Sequence, residues 1–323
     1  MNALSNLFSC ARPTTWLARA GFVCLLALAP AALASENVPH RPFAYWANVP
    51  EKGQFIAGFI YEQSESYHIW AGGQYHNVTW HAGGESYGID INQGYLALQY
   101  GVTERWALDF NIGYVGEGWR YFDNGGIQAT EGLMDWSFGA RYQLYNELTE
   151  TNLPWAPTTT FRAGAVMPGT FNKDFIFAPG QRSAAIEPEL LLRKHVGWPG
   201  LGLYGDGFFR YNMTTGNNQY MLSAGLFQEI KGWEIDFGYK HLQTLSGSNI
   251  TYPNPDPTAE YNIIYPRDPR EIYDAIQFGF SYTTKGRWRY GFCLTSILDG
   301  NNTDAKLWLG ASLDIPIGGK KSK

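Results

Sequence analysis

The sequence predicts an all-β protein: a transmembrane antiparallel β-barrel of about twelve strands, with both termini on the periplasmic side. Three observations carry that expectation. Several segments alternate strictly between apolar and polar residues, they run about ten residues or more, and Trp, Tyr and Phe recur near the ends of their apolar faces. Soluble sandwich strands usually run ~5 to 6 residues, whereas a strand crossing a bilayer at a tilt needs ~9–11. Amphipathic rings favour the headgroup boundary, which gives membrane barrels their aromatic girdles. A polytopic helical membrane protein would need several apolar stretches of about 20 residues, and the only long apolar run is N-terminal. Charged residues make up 16% of the chain, below the ~25% of an average soluble domain. The net charge of -5 argues against a nucleic-acid partner.

Residues 1–34 read as a secretory signal peptide. Arg12 and Arg19 precede the apolar run Ala20 to Ala34, which closes on Ala32-Leu33-Ala34. Cys10 and Cys24 fall within it, so the exported chain keeps Cys293 alone and forms no internal disulfide. Residues 35–52 are expected as a periplasmic N-terminal segment. Within it Glu36 to Pro50, carrying Phe43, Tyr45 and Trp46, is either a tail or a plug. The barrel is expected over 53–317 and a short tail over 318–323.

The expected strands lie near 53–62, 88–100, 105–116, 132–144, 158–167, 185–196, 201–212, 219–230, 233–245, 273–284, 287–298 and 305–317. Alternation is clearest in three of them. Trp106, Leu108, Phe110, Ile112 and Tyr114 oppose Ala107, Asp109, Asn111 and Gly113. Met134, Trp136, Phe138, Ala140, Tyr142 and Leu144 oppose Asp135, Ser137, Gly139, Arg141 and Gln143. Trp233, Ile235, Phe237 and Tyr239 oppose Glu234, Asp236, Gly238 and Lys240. The first, second and eighth strands alternate weakly. Connections after even-numbered strands are mostly tight, with 145–157 the exception, and those after odd-numbered strands are mostly long: 63–87, 117–131, 168–184 and 246–272. Bacterial barrels pair short periplasmic turns with longer outer loops in this way.

An ionised group facing lipid costs up to a few kcal/mol near the midplane, so the polar faces are expected to line a lumen. They carry Asp109, Asp135, Arg141, Arg162, Glu187, Glu189, Arg193, Asp206, Arg210, Glu234, Asp236, Lys240, Arg287, Arg289 and Asp314. Such a set either braces the wall as paired charges or lines a solute path with a local field. Eight strands leave an interior filled by side chains and sixteen leave an aqueous channel. Twelve with inward ionic residues point to a narrow conduit for a small molecule.

Leu98-Gln99-Tyr100-Gly101-Val102-Thr103-Glu104-Arg105 and Gly132-Leu133-Met134-Asp135-Trp136-Ser137-Phe138-Gly139-Ala140-Arg141-Tyr142 resemble the YGxT turn and GxxD-to-(K/R)Y strands of an outer-membrane barrel family labelled for the MetA pathway of phenol degradation. The similarity is clearest over 95–145 and weaker through 185–245. It implies a channel-like role for aromatic or other hydrophobic compounds. The ending Ile315-Pro316-Ile317-Gly318-Gly319-Lys320-Lys321-Ser322-Lys323 departs from the terminal aromatic that many such barrels use as an assembly signal.

Two other readings stand beside the channel: a structural or adhesive surface barrel, and an outer-membrane lipid hydrolase. Such hydrolases place His-x-Ser on a strand, but here His241-Leu242-Gln243 puts an amide where the nucleophile would stand. No enzyme activity is expected. His68, His76 and His81 in the first outer loop match no metal-ligand spacing, and Asp256, Asp268 and Glu271 lack EF-hand spacing, so neither cofactor nor metal is expected. The expected partners are outer-membrane lipids, a small-molecule solute and the barrel-assembly machinery, in a Gram-negative outer membrane.

Overall fold

A computed structural model describes residues 47–319 except 78–79, 83–84, 122–126, 151, 173–177, 179, 215, 253–263 and 267. Among the described residues there is no helix. The strands are β1 (Gln54–Ala71), β2 (Gln74–Asn77), β3 (Trp80–Ala82), β4 (Glu85–Tyr87), β5 (Ile89–Gly101), β6 (Trp106–Tyr121), β7 (Ile127–Leu133), β8 (Trp136–Tyr145), β9 (Thr158–Met167), β10 (Ala185–His195), β11 (Leu201–Asn212), β12 (Gln219–Ile230), β13 (Trp233–Thr244), β14 (Ile272–Thr283), β15 (Arg289–Asn301) and β16 (Thr303–Gly318).

Twelve of these pair antiparallel in sequence order, and β16 returns to β1, with Phe55 opposite Ile317 and Trp70 opposite Thr303. Closure removes the unpaired edges that a sheet would otherwise present to lipid. The twelve expected strands are these twelve. β2 pairs the far end of β1 and β7 pairs the far end of β6, while β3 and β4 form a hairpin of their own.

Alternation sets which face meets lipid. In β6, Trp106, Leu108 and Tyr114 are exposed while Ala107, Asp109, Asn111 and Gly113 are buried. In β13, Trp233, Phe237 and Tyr239 are exposed while Glu234, Asp236 and Lys240 are buried. Apolar side chains outside and ionic ones inside invert the order of a soluble sandwich and place the barrel in a membrane. The fold is that of an outer-membrane barrel.

Turns follow the backbone chemistry. Lys231 and Gly232 both take positive φ, 49° and 87°, the two-residue hairpin whose twist matches its strands. That turn and those at 102–105, 196–200 and 284–288 share one end of the barrel with 146–157, here named the turn end. The loop end carries 168–184 and 245–271.

Several expected boundaries are corrected. β1 extends to Ala71, 18 residues in all, and β6 and β16 each run 16. These exceed the bilayer requirement of ~9–11, so hairpin pairing continues beyond lipid where a loop was expected from residue 63. The connection between β15 and β16 is Asn302 alone, at φ 55°. The expected strand 132–144 breaks at Met134 and Asp135. Met134, placed above on the lipid face, is fully buried inside against the loop-end cluster that includes Tyr95 and Phe171.

Candidate functional site: the barrel interior

Most of the predicted ionic residues meet in two buried chains of charge. Arg162 on β9 is the centre of the first. Its Nε and Nη2 donate to Asp109 at 2.8–3.1 Å, and its Nη1 donates to Glu187 at 3.1 Å and Glu189 at 3.4 Å. Arg141 lies 3.6 Å from Asp109 and donates to Gln99 at 2.6 Å. Arg210 closes the chain on Glu187 at 2.6 Å. Space for the guanidinium comes from two glycines: a Cβ at Gly164 would fall 2.6 Å from Arg162 Nη1, and one at Gly139 2.9 Å from Nε.

The second chain lies across β10, β13 and β15. Glu234 accepts from Arg289 at 2.6 Å and Arg193 at 3.1 Å, and the Arg193 guanidinium sits 3.8 Å over the Phe227 ring. Arg193 also pairs with Glu229. Asp314 stands opposite Arg289 in the β15–β16 register. Asp206 shares a rung with Ser223, and Ser223 with Lys240, so all three buried side chains meet on the inner wall. The carboxylate oxygens of Asp206 and Asp236 accept no hydrogen bond from the described residues. They differ in this from Asp109, Glu187 and Glu234, each held by an arginine.

Two predicted members stand elsewhere. Arg287 lies in the 284–288 turn at φ 68°, partly exposed, and donates to Glu51 at 3.0 Å. It fastens the chain ahead of β1 rather than the wall. Asp135, in the break before β8, accepts backbone N–H groups from Gly169 (2.8 Å), Gln181 (2.9 Å) and Arg182 (3.1 Å). It therefore ties down the 168–184 loop. Asn302 does the same for other loop-end segments: its Oδ1 accepts from Gly72 and Ile250, and its Nδ2 donates to Asn249 and to the Arg270 carbonyl.

Sequence reasoning missed the apolar part of the interior. Ile60, Ile89, Ile91, Tyr95 and Ala97 are buried with Met134, Phe171, Ile250 and Trp308 in one cluster toward the loop end. Tyr204, Phe208, Met221 and Phe227 form a second on β11 and β12. The signal was present as weak alternation. β1, β5 and β12 carry apolar residues on both faces, and they are the three strands whose periodicity is poorest.

The chain ahead of β1 also enters this account. The Ala47 carbonyl accepts hydrogen bonds from Gln143 (3.1 Å) and Thr160 (2.6 Å), and the Asn48 carbonyl from Arg141 (3.4 Å). Ala47 packs against Leu191. All four of these partners are inward-facing positions of β8, β9 and β10. Phe43, Tyr45, Trp46 and the expected signal peptide lie outside the described residues.

At the turn end, Glu147 gathers Lys194 at 2.9 Å and both the backbone N–H and Nδ1 of His195 at 2.7–2.9 Å. Burial alone would raise the Glu147 carboxyl, but these donors hold it below the ordinary carboxylate range. In the first loop-end hairpin His68 stacks on Tyr75 at 4.8 Å and His76 leans on Tyr252 at 4.7 Å; the His81 side chain lies outside the described residues. His241 bonds Asp274 through Nδ1 at 2.8 Å, and Ser246 donates instead to Asn217 at 2.7 Å. No serine–histidine pair of a hydrolase forms at His241.

No protein-family model and no curated protein sequence matches this chain. Among solved structures it is similar to the COG4313 outer membrane channel from Pseudomonas putida F1, with 16% identity over 87% of this chain and all of the other, at a TM-score of 0.63. Weaker overlays include the toluene transporter TbuX of Ralstonia pickettii (10% identity, 89% and 96% coverage, TM-score 0.44) and the KdgM porin (10%, 79% and 97%, 0.41). The likeness to the Pseudomonas putida structure is one of fold: this chain is built as an outer-membrane β-barrel.

Proposed function

We propose that the protein is a passive outer-membrane channel for a small hydrophobic or aromatic solute, with the turn end and both termini in the periplasm. One observation carries the reading: the interior is two-faced. A wholly polar lumen would suit hydrated ions. Here Ile60, Ile91, Tyr95 and Ala97 on one side, and Phe208 and Met221 on another, supply apolar surface inside a barrel already braced by charge. Apolar surface buried by a solute contributes ~25 cal/mol per Å², so these patches favour an organic molecule over water. The inward acids and bases from Asp109 to Asp314 border the path, and Asp236 supplies carboxylate oxygens that no arginine of the ionic chains bonds. The finer resemblance to the family labelled for phenol degradation agrees with an aromatic solute. Residues 47–50 narrow the turn end, and export by a cleaved signal peptide with insertion by the barrel-assembly machinery follows from the same reading.

The test is uptake by proteoliposomes of radiolabelled toluene against arabinose. Toluene entry above protein-free vesicles, with arabinose swelling at background, supports the reading. Ile91→Asp should reduce toluene entry severalfold. Arabinose admitted while toluene is not would overturn it in favour of a hydrophilic pore, and no entry of either would favour a structural barrel.

A further inference from the structure

The inner wall changes in bulk as well as in charge around the barrel. On β8 to β12 the inward positions include Arg141, Arg162, Arg193, Tyr204 and Phe227, whereas β13 to β16 turn Gly238, Gly279, Gly291 and Gly310 inward. One aromatic ring uses the space that such glycines leave. Tyr204 stands opposite Gly225, and Gly225 opposite Gly238, so the Tyr204 side chain crosses from β11 to β13. A Cβ at Gly225 would fall 2.7 Å from its Cε1, and one at Gly238 2.9 Å from its Cζ. The ring therefore rests along the wall on two glycines, one face against the backbone and the other toward the barrel axis.

Asp236 is the inward neighbour of Gly238 along β13. Its carboxylate leans over β14 and covers Gly279, where a Cβ would fall 2.6 Å from both Cγ and Oδ1. Asp236 is 1% exposed, and neither oxygen accepts a hydrogen bond among the described residues. A buried carboxylate without a donor is costly. The nearest guanidiniums do not serve it, since Arg289 and Arg193 donate to Glu234 at 2.6 and 3.1 Å. The buried ionic residues of β1 and β13 to β16 are Glu62, Glu234, Asp236 and Asp304 against Lys240 and Arg289, an acidic surplus. Such a field inside low-dielectric walls favours a cation from outside.

We propose that Tyr204 and Asp236 form a recognition subsite of the conduit for an arylalkyl ammonium, the solute's ring on the Tyr204 face and its ammonium on the Asp236 carboxylate. This rests on the channel reading above and narrows its solute class. The two features are independent. The ring on its glycine floor gives contact area to any aromatic solute, and Asp236 discriminates among them by charge. A solute hydroxyl donates one hydrogen bond and leaves the carboxylate charged, whereas an ammonium donates and neutralises. A solute carboxylate meets like charge and is rejected.

The full-length barrel in nonionic detergent is titrated calorimetrically at neutral pH with benzylammonium, benzyl alcohol and benzoate, which share a ring and differ in the polar group. Benzylammonium should bind about tenfold tighter than benzyl alcohol, the worth of one charge-assisted contact, and benzoate weakest of the three. Asp236→Asn should bring benzylammonium down to the affinity of benzyl alcohol while toluene entry into proteoliposomes stays at the wild-type rate. Tyr204→Leu should weaken benzylammonium and benzyl alcohol alike. Glu62→Gln removes another buried acid from the Asp236–Gly279–Cys293–Gly310–Glu62 rung and should keep the wild-type order. Benzyl alcohol or benzoate binding wild type as tightly as benzylammonium overturns the proposal without recourse to any variant. Equal losses in Asp236→Asn and Glu62→Gln overturn the assignment to Asp236. The conduit and the subsite fail separately: toluene entry with no preference for the ammonium refutes the subsite alone, and entry of neither toluene nor benzylammonium refutes the conduit and the subsite with it.

Discussion

Replacing Arg162 by methionine separates a dry interior from a hydrated one. The guanidinium serves three carboxylates: Asp109 through two nitrogens, and Glu187 and Glu189 through the third. Methionine keeps much of the volume and removes the charge. Asp109 then retains Arg141 at 3.6 Å and Glu187 retains Arg210 at 2.6 Å, while Glu189 loses its arginine. If these groups are desolvated as their burial indicates, loss of one partner costs ~3–5 kcal/mol. If water fills the lumen around them, the pair is worth no more than a surface ion pair, ~1 kcal/mol or less. The assay is reversible urea unfolding of the barrel in lipid vesicles, followed by tryptophan fluorescence, for wild type, Arg162→Met and Arg162→Met with Glu189→Gln. The structure predicts a loss in the upper range, and a partial recovery of ~1 kcal/mol or more in the double variant as the stranded charge is removed. A loss below ~1 kcal/mol with no recovery would refute the buried charge chain and mean that water reaches Arg162.

Other consequences follow from particular contacts. Deleting residues 35–50 should enlarge single-channel conductance in planar bilayers, since Ala47 and Asn48 then no longer occupy Gln143, Thr160 and Arg141; an unchanged conductance would show that the segment blocks nothing. Asn302→Ala removes four hydrogen bonds and places alanine at φ 55°, a cost of ~1–3 kcal/mol, and should expose 245–271 to protease in the intact barrel. Gly164→Ala puts a methyl 2.6 Å from Arg162 and should lower the unfolding midpoint, whereas Gly116→Ala, where a Cβ meets nothing, should not. The Glu147 carboxyl lies below its unfolded value, so its stabilisation is complete above that unfolded value and is lost as pH falls through the folded one. Stability of wild type and Glu147→Gln should therefore converge in acid and diverge toward neutrality.

What was legible in the sequence follows from where each residue's surroundings come from. A strand such as β6 or β13 meets lipid on one face and charge on the other, so its own alternation states its role; β1, β5 and β12, which alternate weakly, were readable from their length and from the turns that bound them. The ionic set was readable for the same reason, because lipid excludes Asp109 or Lys240 from the outside whatever the partners are. Arg287 and Asp135 read as wall residues because alternation extends past a strand's end on paper; a turn at positive φ and a break at Met134 stop it in space. Ala47 against Leu191, Asn302 beneath the loops and Arg162 between two glycines were not legible. Each depends on segments tens to hundreds of residues apart, and no local pattern encodes such a meeting.

The weak alternation of β1, β5 and β12 shows how a lost signal becomes informative. Periodicity fails in a strand when both faces want the same chemistry, and in a barrel that happens where the inner face is apolar too. Ile60 and Ile91, on adjacent strands, and Met221 and Phe227 on β12, occupy such positions. The arginine–carboxylate chains brace β6 to β11 and β10 to β15 without them. Apolar residues facing a lumen cost solvation unless something covers them. At the loop end the 168–184 and 245–271 segments do so through Phe171 and Ile250. Removing Phe171 and Ile250 would bare Ile60, Ile91 and Tyr95 together, the inner surface on which the proposed apolar solute path depends.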